Sequence, residues 1–158
     1  MIRLIAAVDR QMGIGKNGGQ PWKLPDDEAY FAQMTKSNGG NILVGRSTFE
    51  TFKGPLPERT NYLLTSHNEP IAGVELVHDL SAFLESFKDD LWIIGGAKVY
   101  QEVIDLGKAD ELYLTYIDAE FGCDRFFPKF GDEFKEIQPG DWQEQNGFKF
   151  RFAKFAKI

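Results

Sequence analysis

Apolar residues in this chain come in short runs broken by glycine, proline and acidic positions, and the period of the runs changes along the sequence. Residues 2–8, 41–44, 61–65, 74–77, 91–94 and 112–117 read as strands. Helical spacing marks 25–36, 47–52, 80–87 and 96–106. Runs such as Leu91-Trp92-Ile93-Ile94 are apolar without alternation, as burial on both sheet faces requires. Strand and helix alternate, which predicts βαβ units on a largely parallel sheet with helices on both faces. After Pro128 the pattern changes. Residues 134–137 and 148–155 read as two more strands, joined by a turn around Pro139-Gly140-Asp141. The last alternates, with Phe148, Phe150 and Phe152 against Lys149 and Arg151, so it is a half-exposed antiparallel strand. The expected fold is α/β. Its sheet is mixed, mostly parallel and of about eight strands, ending in a C-terminal antiparallel hairpin. The length suits a single domain over residues 1–158.

The stretch 25–36 carries the first sign of chemistry. Pro25 suits the first helical position, where its missing N–H costs nothing. Asp26, Asp27 and Glu28 follow, and acids in a first turn complement the helix dipole. On a helical wheel Tyr30, Phe31 and Met34 share one apolar face. Asp27 falls near its middle, while Asp26 and Glu28 fall on the flanks. A carboxylate aimed into an apolar surface is costly unless paired, so Asp27 is a candidate recognition or catalytic group with a raised pKa. The preceding segment, Ile14-Gly15 then Gly18-Gly19-Gln20-Pro21-Trp22-Lys23-Leu24, reads as a flexible glycine loop entering a Trp-anchored turn.

Composition narrows the classes. Hydrophobic residues make up 42% and charged ones 27%, as in an ordinary globular protein. No apolar run is long enough to span a bilayer. The opening Met1-Ile2-Arg3-Leu4-Ile5-Ala6-Ala7-Val8-Asp9 reads as a buried strand, not a signal peptide. One cysteine excludes an intrachain disulfide, and with two histidines it leaves no metal-ligand spacing. A cytoplasmic location, no metal and a monomer are expected. The formal net charge of -6 argues against nucleic acid as a partner. It leaves room for small anions held by local cations and helix N-termini.

Two glycine junctions join a strand to a helix: Val44-Gly45-Arg46-Ser47-Thr48 and Ile94-Gly95-Gly96-Ala97-Lys98-Val99-Tyr100. In an open parallel sheet ligands sit at the carboxyl ends of strands, so the pair could grip a pyrophosphate; each alone is equally a tight turn. Neither a G-x-G-x-x-G fingerprint nor a Walker loop is present. Arg46 and the run Thr65-Ser66-His67 each follow a strand and could hold a phosphate monoester, or form a solvated loop. Arg59, stiffened by Pro55 and Pro57, could bind a carboxylate bidentately, or be a surface arginine.

In order and spacing these segments resemble dihydrofolate reductases over essentially the whole chain. The carriers are Ile5-Ala6-Ala7, Ile14-Gly15, Pro21-Trp22-Lys23-Leu24-Pro25-Asp26-Asp27 and Val44-Gly45-Arg46-Ser47-Thr48-Phe49-Glu50. With them go Pro55-Leu56-Pro57-Glu58-Arg59, Ile94-Gly95-Gly96 and Leu114-Thr115 with Asp124 and Phe127-Pro128. The resemblance implies NADPH-dependent reduction of 7,8-dihydrofolate to tetrahydrofolate, in one-carbon metabolism. It makes Asp27 the pterin-binding carboxylate, with Thr115 and Trp22 in support and a water as proton donor. Ile5, Ala6, Phe31, Phe52, Leu56 and Ile94 become walls of the substrate cleft, and Arg59 the group that binds the substrate's α-carboxylate. Ala7, Ile14, Gly15 and Gln20, with Ile94, fall to the nicotinamide side. Gly45, Ser47, Thr48, Gly95, Gly96, Ala97, Lys98, Val99 and Tyr100 line the remainder of the cofactor. Arg46, Leu64, Thr65, Ser66 and His67 surround the adenosine 2′-phosphate. The loop 9–23 closes over the site.

Three positions depart from the family's pattern. Gln20 and Glu28 are polar where apolar residues are usual, and Cys123 stands where glycine is common. With Arg59 as its expected partner, Glu28 would compete with the substrate's carboxylate. Two other readings use some of the same residues. A reductase of riboflavin synthesis, acting on a pyrimidine ribityl phosphate, shares the cofactor features but needs neither the segment 22–27 nor Arg59. A nucleotide-binding regulatory domain needs no lone carboxylate in an apolar pocket.

Overall fold

A computed structural model describes residues 1–158. Strand β1 (Ile2–Val8) lies in the middle of the sheet. The short β2 (Gly13–Gly15) follows, then helix α1 (Pro25–Lys36), strand β3 (Asn41–Gly45) and the single helical turn α2 (Arg46–Phe49). Next come β4 (Thr60–Leu64), β5 (Val74–Val77), α3 (Leu80–Ser86), β6 (Leu91–Ile93) and α4 (Ala97–Asp105). The chain ends with β7 (Glu111–Ile117), β8 (Arg125–Phe126), β9 (Phe134–Pro139), β10 (Gln143–Gln145) and β11 (Phe148–Lys157).

The sheet order is β10-β11-β7-β1-β6-β3-β4-β5, with β9 also on β11. Every pair from β7 through to β5 is parallel, and β11 runs antiparallel to β7, β9 and β10. This is the mixed, mostly parallel sheet expected from the pattern. Its side chains divide by the two-residue alternation of a strand. Leu4 and Val8 pack with Leu80, Leu84, Val99 and Val103 of α3 and α4 on one face. Ile5 packs on the other with Ile42, Trp92 and Ile94, against Tyr30, Phe31 and Met34 of α1. Leu4, Ile42, Leu43, Trp92, Leu114 and Phe150 have no exposed surface. Each such side chain stabilises the fold by about 1.5–3 kcal/mol through removal from water.

The C-terminal region departs from expectation in its connection. Strands β9 and β11 do pair, but Pro139-Gly140-Asp141 is not a hairpin turn. It is a break in the edge, after which β10 pairs with the first half of β11. The hairpin turn is Asn146-Gly147, both at positive φ (51° and 79°), the backbone that Asn-Gly favours. Gly140 donates its N–H to the Phe152 carbonyl at 2.8 Å, and a Cβ there would collide with that oxygen. The second helix is also shorter than the expected 47–52. Beyond Phe49 the backbone tightens into bonds from Thr51 to Thr48 and from Phe52 to Phe49, ahead of Gly54-Pro55. The two-stranded β2–β8 sheet had no signal in the apolar pattern, because a single Ile14 between two glycines, with Arg125 and an exposed Phe126 opposite, makes no run.

Candidate active site

The carboxyl ends of β1, β3, β6 and β7 converge beside α1, and in the β1–β7 register Ala7 stands opposite Thr115. Thr115 is buried and donates its hydroxyl to Asp27 Oδ1 at 2.7 Å. Asp27 reaches it from the first turn of α1, which Pro25 opens without a side-chain cap. Burial pushes the Asp27 carboxyl above its ordinary value; the Thr115 bond opposes the rise, and the charge of Glu28 adds to it. Asp26, one residue earlier, is exposed. Trp22 is buried with Ala7 and Leu24 and tilts against Phe121 at 5.1 Å between centroids. Its indole Nε1 is buried and has no acceptor within the protein.

Apolar walls continue from this carboxylate. Ile5 and Ile94 form one cluster with Phe31, Phe52 and Leu56 packed against it. At its far end Arg59 is locked on one edge, with Nε donating to the Pro57 carbonyl at 2.9 Å and Nη1 to Thr35 Oγ1 at 2.8 Å. A planar guanidinium held this way keeps further N–H groups for a bidentate carboxylate. Asn61, buried at the start of β4, braces the approach to Arg59. It accepts from Leu56 N and donates to the carbonyls of Leu56 and Arg59.

The glycine junctions meet across β3 and β6. Gly45 N donates to the Gly95 carbonyl at 2.8 Å. A Cβ on Gly45 would lie 2.9 Å from Val99, and one on Gly96 would lie 2.7 Å from Thr48 Oγ1. Both glycines therefore permit an approach that any side chain would block. Helix α4 begins after Gly96 without a side-chain cap, so its first N–H groups point outward at Ala97 and Lys98. Tyr100, buried behind them, donates its hydroxyl to the Ile5 carbonyl at 2.6 Å. Beyond this cradle a cavity of about 680 Å³ opens between α2, β4 and α3. Arg46, Ser47, Leu64, Thr65, Ser66 and His67 line it. Arg46 Nη1 and His67 N both donate to Thr65 Oγ1, at 3.3 and 3.1 Å.

The loop before α1 is tied to the segment after β7 through Asp9, which is 1% exposed. Its Oδ1 accepts from Gln11 N and Gly13 N, and its Oδ2 from Phe121 N. Cys123 approaches the same oxygen at 3.5 Å. Burial, and then the charge of Asp9, push the Cys123 thiol up, so it stays protonated and donates. Asp124 completes the tie, accepting from Asn17 N and donating its own N–H to Gly15 O. Ile14 packs against the core beneath this loop. Gln20 stands exposed, directly after the Lys16–Gly19 bridge. Glu28 does not pair with Arg59. It is exposed and bonded to Lys23 Nζ at 3.0 Å, five residues back, while Arg59 takes its bonds from Pro57 and Thr35.

Sequence reasoning did not select Asp9, Thr35 or Asn61, each a polar residue buried beside an element end. A polar side chain at the edge of an apolar run was the available signal. His78 and Asp79, which also line the cavity, follow the carboxyl end of β5, which lies parallel to β4 with Val77 opposite Leu64; Glu102 comes from α4 and had no such signal.

The sequence that builds this site has relatives. The dihydrofolate reductase family model matches residues 1–157. A dihydrofolate reductase of Bacillus subtilis is 36% identical over 163 residues, covering 99% of this chain and 95% of its own. One from Haemophilus influenzae is 37% identical over 155 residues, covering 94% of each. The Drosophila melanogaster enzyme is 32% identical over 175 residues, covering 98% of this chain and 96% of its own. With the lone carboxylate, the arginine-ended cleft and the glycine cradle in one order along the chain, the match is complete from end to end: the chain belongs to the dihydrofolate reductase family.

Proposed function

We propose that this chain reduces 7,8-dihydrofolate to tetrahydrofolate with NADPH as the coenzyme. The observation that carries the reading is the Asp27–Thr115 pair, a half-buried carboxylate held at 2.7 Å at the head of an apolar cleft that ends in Arg59. A flat heterocycle with an amide and an amino group fits the carboxylate, an aromatic ring fits the walls, and a terminal carboxylate fits the guanidinium. The two other readings fall behind at these residues. A pyrimidine ribityl phosphate gives Arg59 no carboxylate, and a purely regulatory site gives Asp27 no task.

The glycine cradle, the uncapped start of α4 and the Arg46 cavity suit a dinucleotide with an extra phosphate. Gly95, Gly96, Ala97 and Thr48 would hold its pyrophosphate, and Arg46, Thr65, Ser66 and His67 its 2′-phosphate. The chemistry the bound coenzyme supplies is a hydride. The substrate's C=N bond gains that hydride on carbon and a proton on nitrogen. Asp27 accepts the hydrogen bonds of the ring and, by its charge, favours the protonated form of the substrate. Thr115 keeps Oδ1 in place, and the buried Trp22 Nε1 is a donor with no acceptor in the protein. The loop 9–23, tied down through Asp9 and Asp124, keeps bulk water from the reacting atoms.

The test is direct. Protein, NADPH and dihydrofolate are mixed, and the absorbance of the reduced nicotinamide is followed. Its loss on adding dihydrofolate is expected, with a much smaller rate for NADH. No loss with either coenzyme would overturn the reading.

A further inference from the structure

The cavity beside Arg46 has the wrong fixed charge for a phosphate. Arg46 is its one permanent cation, and it already holds Glu50 at 2.9 Å. Two further carboxylates line the walls, Asp79 at the start of α3 and Glu102 on α4. A phosphate monoester brings between about 1.5 and 2 negative charges. The fixed lining cannot balance them. The groups here that can gain positive charge are imidazoles, and both histidines of the chain, His67 and His78, line this cavity.

His78 is set for that role. Its Nδ1 lies 2.7 Å from the Thr65 carbonyl oxygen. A carbonyl oxygen only accepts, so Nδ1 carries the ring proton and Nε2 is the nitrogen that can take another. Thr65 is in turn bonded through its hydroxyl to Arg46 and to the backbone of His67. One residue thus joins the cation, the His78 ring and the backbone of His67. Asp79 is partly occupied, since its Oδ1 caps α3 by accepting from Ala82 N at 3.0 Å. The charged or titratable groups around the ring are then Arg46 and Glu50 from α2, His67 after β4, Asp79 from α3 and Glu102 from α4.

We propose that His78 is a specificity residue for the phosphorylated coenzyme, meeting the 2′-phosphate as an imidazolium, so that binding takes up a proton from solvent. The proposal rests on the assignment of this cavity to the 2′-phosphate made above. The proton adds to Nε2, which becomes a donor to a phosphate oxygen, and no other bond changes.

The experiment measures binding, not turnover. NADP⁺ and NAD⁺ are titrated calorimetrically into wild type, His78→Ala and His78→Gln from about pH 7 to about pH 9, where the phosphate is already a dianion. Two buffers of unlike ionisation enthalpy count the protons. Wild type should take up protons with NADP⁺ and none with NAD⁺. Its preference for NADP⁺ should fall with rising pH, by up to about tenfold per unit for each proton taken up. Glutamine can still donate to the Thr65 carbonyl but cannot charge, so His78→Gln should lose part of the uptake and flatten the slope. Preference for NADP⁺ with no pH dependence, or with the same proton count in His78→Gln, would overturn the proposal. No preference for NADP⁺ at any pH would overturn the phosphate assignment itself, and this proposal with it.

Discussion

At the scale of single residues, the burial of Asp27 costs stability, and the role proposed for it in recognition accounts for that cost. Its folded-state pKa is raised, so between the ordinary carboxyl value and the raised one the folded chain holds the proton that the unfolded chain has lost. Stability therefore falls as pH rises through that window, and the deficit persists at neutral pH. Asp27→Asn keeps an acceptor for Thr115 without the charge. Its melting temperature should exceed that of wild type at neutral pH and match it in acid, below the ordinary carboxyl range. Calorimetric scans at the two pH values check this; a variant less stable at both would mean the carboxylate is not strained. The role proposed for Arg59 is of the opposite kind, a contribution to substrate affinity. Losing a bidentate charge-assisted contact costs about 1.5–3 kcal/mol per hydrogen bond. Arg59→Ala should raise the KM for dihydrofolate at least tenfold and leave that for NADPH nearly unchanged. Equal rises in both would move the carboxylate site elsewhere. Glu28, exposed and tied to Lys23, should matter far less: Glu28→Leu is expected to shift the KM for dihydrofolate by much less than Arg59→Ala does.

At the scale of elements, the two loops around Asp9 fit by an exchange of sizes. A Cβ on Gly13 would lie 2.5 Å from the Cys123 Cβ and 2.6 Å from its Sγ. Gly13→Ala alone should destabilise by about 1–3 kcal/mol, the cost of overpacking. Cys123→Gly makes room, so the double variant should recover most of the loss, a coupling that a double-mutant cycle of melting temperatures reads directly. Strictly additive effects would mean the residues do not touch. The same loops explain what the sequence could not announce. Strands β1, β6 and β7 bury apolar runs, and α1 has helical spacing with Pro25 at its start, so period and chemistry agree there. Strand β2 offers one apolar residue, Ile14, between glycines, β8 is only Arg125-Phe126, and β10 reads Gln143-Glu144-Gln145, so no period marks them. The candidate site divides likewise. Asp27 stood out because a charge broke an apolar face. Arg46, Arg59 and the glycines had innocent readings until the segment order tied them together. His78 reaches the cavity from the end of β5, and Glu102 only through the packing of α4.

At the scale of the whole molecule, α1 and the α2 turn cover one sheet face, α3 and α4 the other, and the carboxyl ends of four strands open between them. No helix is long and apolar enough to cross a membrane. The negative net charge sets the chain as a whole against anionic ligands, so attraction must come from a few placed cations at each end of the cleft. Between those ends the proposed reaction rests on one carboxylate, and it can be tested alone. The most direct measurement is the rate of NADPH oxidation by dihydrofolate, for wild type and Asp27→Asn, at about pH 7 and about pH 5. Loss of a positioned acid–base group costs roughly 10²–10⁴-fold. Asp27→Asn should therefore be nearly inactive at neutral pH and recover part of its rate in acid, where the substrate arrives already protonated from solvent. Near-normal turnover of Asp27→Asn at neutral pH, or a deficit that acid does not lessen, would contradict the assignment of Asp27.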